Sequence, residues 1–474
     1  MLSRHGRTLE RVLRPSLLTQ LRGVSSAPPL IHELVERGMV WDVSRKEELE
    51  ASVQRKKHTV YAGVDPTAPA LHVGHLLPLI TLLHFHLRGH TVIPLIGGAT
   101  GLVGDPSGRS TERDRANKTV VQQNVESLTT AVSKFFTGAL RYAQSRGVAT
   151  KIEDNPVAVR SNLEWHQDIR VLDFLQTVGH HARLNTMLSR DSVRTRLESK
   201  DGMSFAEFTY QLLQAYDFFY LYRNYNCTIQ VGGSDQWGNI VSGLELISRT
   251  SAAEKGGLPQ EPVEDCYGLT LPLITTPSGE KFGKSAGNAV WLDSRLTSVF
   301  GLYQYFMQTD DRSLRKYLNF FTLLPREEID TIVASHEASP DKRDGQRKLA
   351  GEVTEMVHGR DASLAAEEAS KILFSDISQL DISRIVRALS GDPRLVSLNE
   401  ECLLGEPVIA LASTHGLLSS KGEARRLADA KGLYVNNVPV GTMSTIGAEQ
   451  FIDNQIVILR AGKNKFLVLR RVTS

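Results

Sequence analysis

At 474 residues the chain is too long for one ordinary core, so two to four domains are expected. A hydrophobic share of 41% with 23% charged residues is the balance of a soluble globular protein, and apolar runs broken within about ten residues support no transmembrane helix. A net charge of +2 excludes a globally basic nucleic-acid binder, so any RNA-binding surface must be local, and three scattered cysteines, Cys227, Cys266 and Cys402, exclude a disulfide framework or a cysteine zinc cage.

Residues 1–29 carry Arg4, Arg7, Arg11, Arg14 and Arg22, with Glu10 as their only acid. Arginines three or four apart among leucines make a basic amphipathic helix, the composition of a mitochondrial transit peptide. The protein is therefore expected in the mitochondrial matrix, and this segment is set aside from the fold. Residues 30–50 read as a short helical lead-in. A strand is predicted over 60–65, a helix over 74–88 and a strand over 92–97, which together make a βαβ unit.

Between that first strand and helix lies HVGH (72–75). A strand–turn–helix junction gathers backbone N–H groups and the positive end of the helix dipole, where an anion can be held. Gly74 lets backbone approach a ligand, and His72 and His75 can donate hydrogen bonds to phosphate without burying full charges. Alone, the string is weak, because histidines at a helix start are more often solvated or satisfied core groups. The stretch 97–109, with five glycines and a proline, is predicted as a loop. Helical patterns follow, among them YQLLQAYD (210–217), whose spacing puts Tyr210, Gln214 and Asp217 on one helical face. A strand over 228–232 leads into GGSDQWGN (232–239).

A strand-like run at 269–275 and the turn Pro277-Ser278-Gly279 precede KFGKS (281–285), whose two lysines suit a grip on a transferring polyphosphate. From about 297 to 389 the pattern is helical, 391–407 reads as a linker, and 408–474 differs in character. There ARRLADAK (424–431) is a short basic helix, and residues 421–471 hold nine Lys/Arg against four Asp/Glu.

HVGH and KFGKS resemble the HIGH and KMSKS signatures of class I aminoacyl-tRNA synthetases. YAGVDPT (61–67), GGAT (97–100), GDPSG (104–108), YQLLQAYD and GGSDQWGN, in this order, resemble the tyrosyl-tRNA synthetase family of the bacterial and mitochondrial type. The resemblance runs from about residue 30 to the C-terminus. It implies an α/β architecture: a Rossmann-like doubly wound parallel sheet as catalytic domain (30–295), an α-helical anticodon-side domain (296–390), and a small α+β S4-like RNA-binding domain (408–474). Ligands are then expected at the carboxyl ends of the strands.

The activity so implied has two steps: tyrosine attacks ATP to give tyrosyl-adenylate and pyrophosphate, and the tyrosyl group passes to the 3′ end of tRNA(Tyr). By the same resemblance, Thr67 and His72 contact the γ-phosphate and His75 the ATP moiety, while Lys281, Lys284, Arg109 and Arg113 clamp the leaving group. Asp65, Gly74, Gly233, Asp235 and Lys284 serve ATP. Asp105, Tyr210 and Gln214 take the substrate ammonium, Tyr61 and Asp217 the phenol, and Gln236 completes the tyrosine set. Lys421, Arg425, Arg426 and Lys431 offer the RNA contact. Magnesium is expected through ATP with no protein-bound metal, and a homodimer without membrane insertion is expected. Ala62 stands where many relatives have Cys, Pro78 sits in the first turn of the helix, and KFGKS lacks the Met and first Ser of the consensus; none of these removes a catalytic group. Competing readings are a tryptophanyl-tRNA synthetase, an RNA-binding protein that has lost catalysis, and a nucleotidyltransferase with a small acceptor.

Overall fold

The computed structural model describes residues 28–107, 116–148, 157–199, 202–255, 265–275, 284–285, 288–372, 381–462 and 465–472. The first sheet contains β1 (Asp42–Val43), β2 (Thr59–Val64), β3 (Thr91–Ile96), β4 (Arg160–Ser161), β5 (Cys227–Gly233) and β6 (Tyr267–Leu271), in the order β1-β6-β5-β2-β3-β4. Pairs β6-β5, β5-β2, β2-β3 and β3-β4 are parallel. The edge strand β1 runs antiparallel to β6, so the sheet is mixed at one edge rather than wholly parallel.

Residues of β2, β3 and β5 are buried almost without interruption, as strands covered on both faces require. Helix Leu76–Leu87, LLPLITLLHFHL, is apolar on every side and lies in the core. Pro78 falls in its first turn, where the missing N–H would have had no intrahelical partner. Ahead of it, Val73–His75 is a 3₁₀ turn, so the predicted helix begins slightly later than its pattern suggests. The lead-in resolves into helices Leu30–Glu36 and Lys46–Arg55 flanking β1. The glycine-rich stretch predicted as loop contains one helical turn, Thr100–Val103, ended by Gly104 at φ 90°. Four residues are too few for a sequence period to register.

Among the described residues, six α-helices between Val299 and Ala388 form the next layer, among them Val299–Met307, Asp344–His358 and Arg360–Lys371. The long helix Lys118–Ser145 ties this layer to the sheet: Tyr142 donates to Glu352 at 2.6 Å, and Arg146 pairs with Glu352 and Glu355 at 2.9 and 2.7 Å.

The terminal sheet has the order β11-β10-β12-β13-β9, from β9 (Leu395–Asn399), β10 (Leu433–Val435), β11 (Val438–Pro439), β12 (Ile456–Ala461) and β13 (Lys465–Val472). The stretch predicted as a linker therefore supplies a strand, β9, paired in parallel with β13. Its burial depends on a partner some seventy residues away, which no local pattern reports. Asn436 and Asn437, at φ 48° and 64°, make the tight turn between β10 and β11. This sheet has its own core around Leu433, Val457, Leu459 and Leu469, while Ile456, Ile458, Phe466 and Val468 face the helical layer.

Candidate active site

A cavity of about 320 Å³ opens at the carboxyl ends of β2, β3, β4 and β5. Of the residues singled out in the sequence, Tyr61, Asp65, Thr67, His75, Asp105, Tyr210, Gln214, Asp217, Gly233, Asp235 and Gln236 line it. Helix Phe205–Tyr225 presents Tyr210, Gln214 and Asp217 on one face, as their spacing predicts. Ser204 caps its start by accepting from Glu207 N at 3.3 Å, and Asn226 in the left-handed region ends it.

These side chains join into a polar floor. Tyr210 donates to Asp65 Oδ2 at 2.9 Å, and Thr100 donates to Asp65 Oδ1 at 3.0 Å. Asn162 donates to Thr100 Oγ1 and to Asp217 Oδ2, each at 3.0 Å. Trp165 Nε1 and His166 Nε2 both lie 2.8 Å from Asp217 Oδ1. On the opposite wall Gln236 donates to Asp105 Oδ2 at 2.7 Å, and Asn239 donates to Gln214 Oε1 at 3.0 Å. A Cβ on Gly97 would overlap both the Asp65 carboxylate and the Thr100 hydroxyl, so only glycine lets that pair close. The trio Asp105, Tyr210 and Gln214 shares the cavity, yet each is held by a different neighbour: Gln236, Asp65 and Asn239 respectively.

Tyr61 is 1% exposed, and its hydroxyl has no hydrogen-bond partner among the described residues. Burial and the Asp217 charge push its phenol well above the ordinary range, so it stays protonated. Gln230, 2% exposed and paired in register with Tyr61, also turns an unpartnered Oε1 inward. Buried polar atoms left unpaired cost about 1–3 kcal/mol each, and here they border a cavity a ligand could fill.

At the mouth, His72 Nδ1 accepts from Gly74 N at 3.0 Å and His75 Nδ1 accepts from His72 N at 3.1 Å. With Nδ1 an acceptor in both rings, the proton of each neutral imidazole sits on Nε2. Burial and the neighbouring His72 ring push His75 down to about 3, so it presents a neutral N–H donor. Asn124 holds the loop carrying Thr67 through Pro66 O at 3.0 Å.

HVGH is stitched to the segment after KFGKS. Val73 N donates to Val290 O at 3.0 Å, Leu292 N to Leu71 O at 2.8 Å, and the His72 and Trp291 rings meet edge-on at 6.1 Å. β7 (Lys284–Ser285) pairs antiparallel with β8 (Asn288–Ala289), whose chain continues directly into Val290. Lys281, Arg109 and Arg113 lie outside the described residues, as does the side chain of Lys284.

Sequence reasoning missed Asn162, Trp165, His166 and Gln230. Asn162 follows a strand of only two residues, too short to be seen as a strand end. Among the described residues no group of three or more His, Cys, Asp or Glu could hold a metal, and no helix is long and apolar enough to cross a membrane.

In the terminal part, helix Lys421–Asp429 buries Ala424 and Ala428 and exposes Lys421, Arg425 and Arg426, with Lys431 exposed just beyond.

Residues 53–375 match the family described as tRNA synthetases class I (W and Y). The mitochondrial tyrosine–tRNA ligase of Saccharomyces cerevisiae is 40% identical over 464 residues, which is 96% of this chain and 92% of that one. The mitochondrial tyrosine–tRNA ligase of Drosophila melanogaster is 38% identical over 473 residues, 97% and 99% of the two chains. Among solved structures, a C-terminally truncated mitochondrial tyrosyl-tRNA synthetase from Aspergillus nidulans superposes with a TM-score of 0.67 at 37% identity, covering 74% of this chain and 95% of that one.

Proposed function

The chain belongs to the class I aminoacyl-tRNA synthetases of the tryptophan and tyrosine type, and from that premise we propose that it activates L-tyrosine with ATP and transfers it to tRNA(Tyr). The observation that carries the choice of amino acid is the Tyr61 hydroxyl, buried without a partner in the cavity that Asp217 also lines. A phenol entering there donates to the carboxylate and accepts from Tyr61. Phenylalanine leaves both groups buried and unpaired.

In the first step the tyrosine carboxylate attacks the α-phosphorus and pyrophosphate departs. No protein nucleophile is needed; positioning and charge stabilisation supply the rate. Asp105, the Tyr210 oxygen and Gln214 receive the ammonium, with Gln236 beside them. Asp65, Gly74, Gly233 and Asp235 seat the nucleotide. Thr67 and the Nε2–H groups of His72 and His75 meet its phosphates. Lys281, Lys284, Arg109 and Arg113 engage the leaving group, and cations that engage mainly in the transition state raise kcat more than affinity. Magnesium enters as a ligand of the ATP polyphosphate and offsets its charge.

In the second step a ribose hydroxyl of the tRNA 3′ end attacks the acyl carbon. The unit 30–295 carries the chemistry, the helices of 296–390 face the anticodon side, and 408–474 grips RNA through Lys421, Arg425, Arg426 and Lys431. Neutralising those four should weaken tRNA binding and flatten its salt dependence. The protein works in the mitochondrion, within the matrix, and residues 1–29 direct import; a chain without them should stay in the cytosol. It acts as a homodimer. Supporting this, helix Val171–Thr177 has no buried residue, and Val171, Leu172 and Leu175 are exposed on it.

The deciding experiment is amino-acid-dependent exchange of labelled pyrophosphate into ATP with tyrosine, phenylalanine and tryptophan in parallel, with and without magnesium. Magnesium-dependent exchange with tyrosine alone is expected. Exchange with tryptophan alone, or none from folded protein, would falsify the reading.

A further inference from the structure

Asp217 is 3% exposed and takes three hydrogen bonds before any ligand arrives. Trp165 Nε1 and His166 Nε2, both at 2.8 Å, converge on Oδ1, whereas Asn162 Nδ2 alone reaches Oδ2, at 3.0 Å. An ionised carboxylate offers about four lone-pair sites, two on each oxygen. Oδ1 is therefore filled and Oδ2 keeps one.

The three donors are held unequally. Asn162 is locked by Ala99 N on its carbonyl and by Thr100 on its amide. Trp165 is 4% exposed and stacks on Tyr220 at 4.6 Å and 16° between planes. His166 lies outside the set of residues lining the cavity; its side chain is 6% exposed and meets Tyr216 edge-on at 5.4 Å. Because an ionised carboxylate only accepts, the imidazole must present Nε2–H toward it.

We propose that His166 is a positioning residue for amino-acid selection: with Trp165 it occupies Oδ1 of Asp217, so that a substrate phenol finds its acceptor at Oδ2 alone. This rests on the assignment of Tyr61 and Asp217 to the phenol. The second donor on Oδ1 does two things. It fixes the plane of the carboxylate, because two donors on one oxygen and one on the other leave a single orientation. It also closes Oδ1 to the phenol, which leaves Oδ2 as the acceptor. Without His166 the carboxylate has a free lone pair on each oxygen and can turn to share the phenol between them.

Two variants separate this from a packing role. His166→Leu keeps bulk and removes the donor; His166→Gln keeps an N–H donor on a side chain of similar reach. Pyrophosphate exchange is measured for each with tyrosine, phenylalanine and ATP varied in turn. His166→Leu is expected to raise KM for tyrosine about tenfold, to leave KM for ATP and kcat nearly unchanged, and to narrow the tyrosine-to-phenylalanine preference by the same factor. His166→Gln is expected to restore most of the loss. If the Leu variant does not fold, His166→Asn, with an amide too short to reach Oδ1, takes its place with the same expectation.

Wild-type tyrosine kinetics in the donor-less variant, equal losses in the Leu and Gln variants, or parallel changes in KM for tyrosine and ATP would overturn the proposal. The wild-type enzyme separates the two layers of the reading. Its exchange with tyrosine tests the function, and only the comparison among variants tests His166.

Discussion

Tyr61 and Asp217 concentrate the logic of the site at the scale of single residues. One buries a hydroxyl that has no partner, the other buries a carboxylate that has three. Removing the Tyr61 hydroxyl should therefore have opposite effects on stability and function. Tyr61→Phe should lower kcat/KM for tyrosine about tenfold, while the melting temperature holds or rises, because an unpaired buried polar atom disappears. A lower melting temperature with full activity would contradict the assignment. Asp217→Ala should erase useful discrimination between tyrosine and phenylalanine in the exchange assay, and it should also destabilise the fold, since Asn162, Trp165 and His166 lose their acceptor. Tyr61 and Asp217 were both legible in the sequence through strings that resemble a family. The donors around Asp217 were not, because a hydrogen bond across fifty residues leaves no local pattern.

At the scale of elements, the shared face of helix Phe205–Tyr225 was legible, though not its ends: an i, i+4, i+7 spacing of Tyr210, Gln214 and Asp217 dictates that face. Helix Val171–Thr177 was not singled out. Its sequence, VLDFLQT, would serve equally as a core helix, yet Val171 and Leu172 are 70% and 74% exposed. Exposed leucines on a short helix are costly in water unless another surface covers them. Leu172→Asp should therefore convert the proposed dimer to a monomer in sedimentation, with secondary structure intact because the side chain is 74% exposed. A dimer that persists at micromolar concentration would place the interface elsewhere. β9 teaches the complementary lesson. Its residues alternate too weakly to announce a strand, and only pairing with β13 makes them one.

Across the whole molecule, several histidines are buried neutral. His84 is 2% exposed, and burial together with the Arg37 charge pushes it down to about 3; Glu33 beside it acts in the opposite direction but does not prevail. The unfolded chain takes up that proton near pH 6.5, the folded chain only near 3. The stabilisation is thus complete above pH 6.5 and lost progressively as pH falls toward 3. His75 behaves alike. Glu33 and Asp392, both held below the usual carboxylate range, add their own loss below about pH 4.5. The melting temperature should accordingly drop between pH 7.5 and 5.5, before carboxylates begin to titrate, and His84→Gln should flatten that slope. A flat profile across this interval would contradict neutral burial.

The sequence by itself determined the family, the α/β class, the order of sheet, helical and terminal units, and half of the residues of the cavity wall. Those depend on chemistry written in short contiguous strings: a glycine where backbone must approach, a fixed spacing on one helical turn, two lysines three apart. Tertiary structure alone decided how these strings meet. It paired HVGH with the segment after KFGKS, turned β1 antiparallel, drew β9 into the last sheet, and surrounded Asp217 with Asn162, Trp165 and His166. The physical reason is common to all four. Hydrogen bonds and burial between distant segments are satisfied only after the chain has closed on itself, so neither partner carries a local mark of the other.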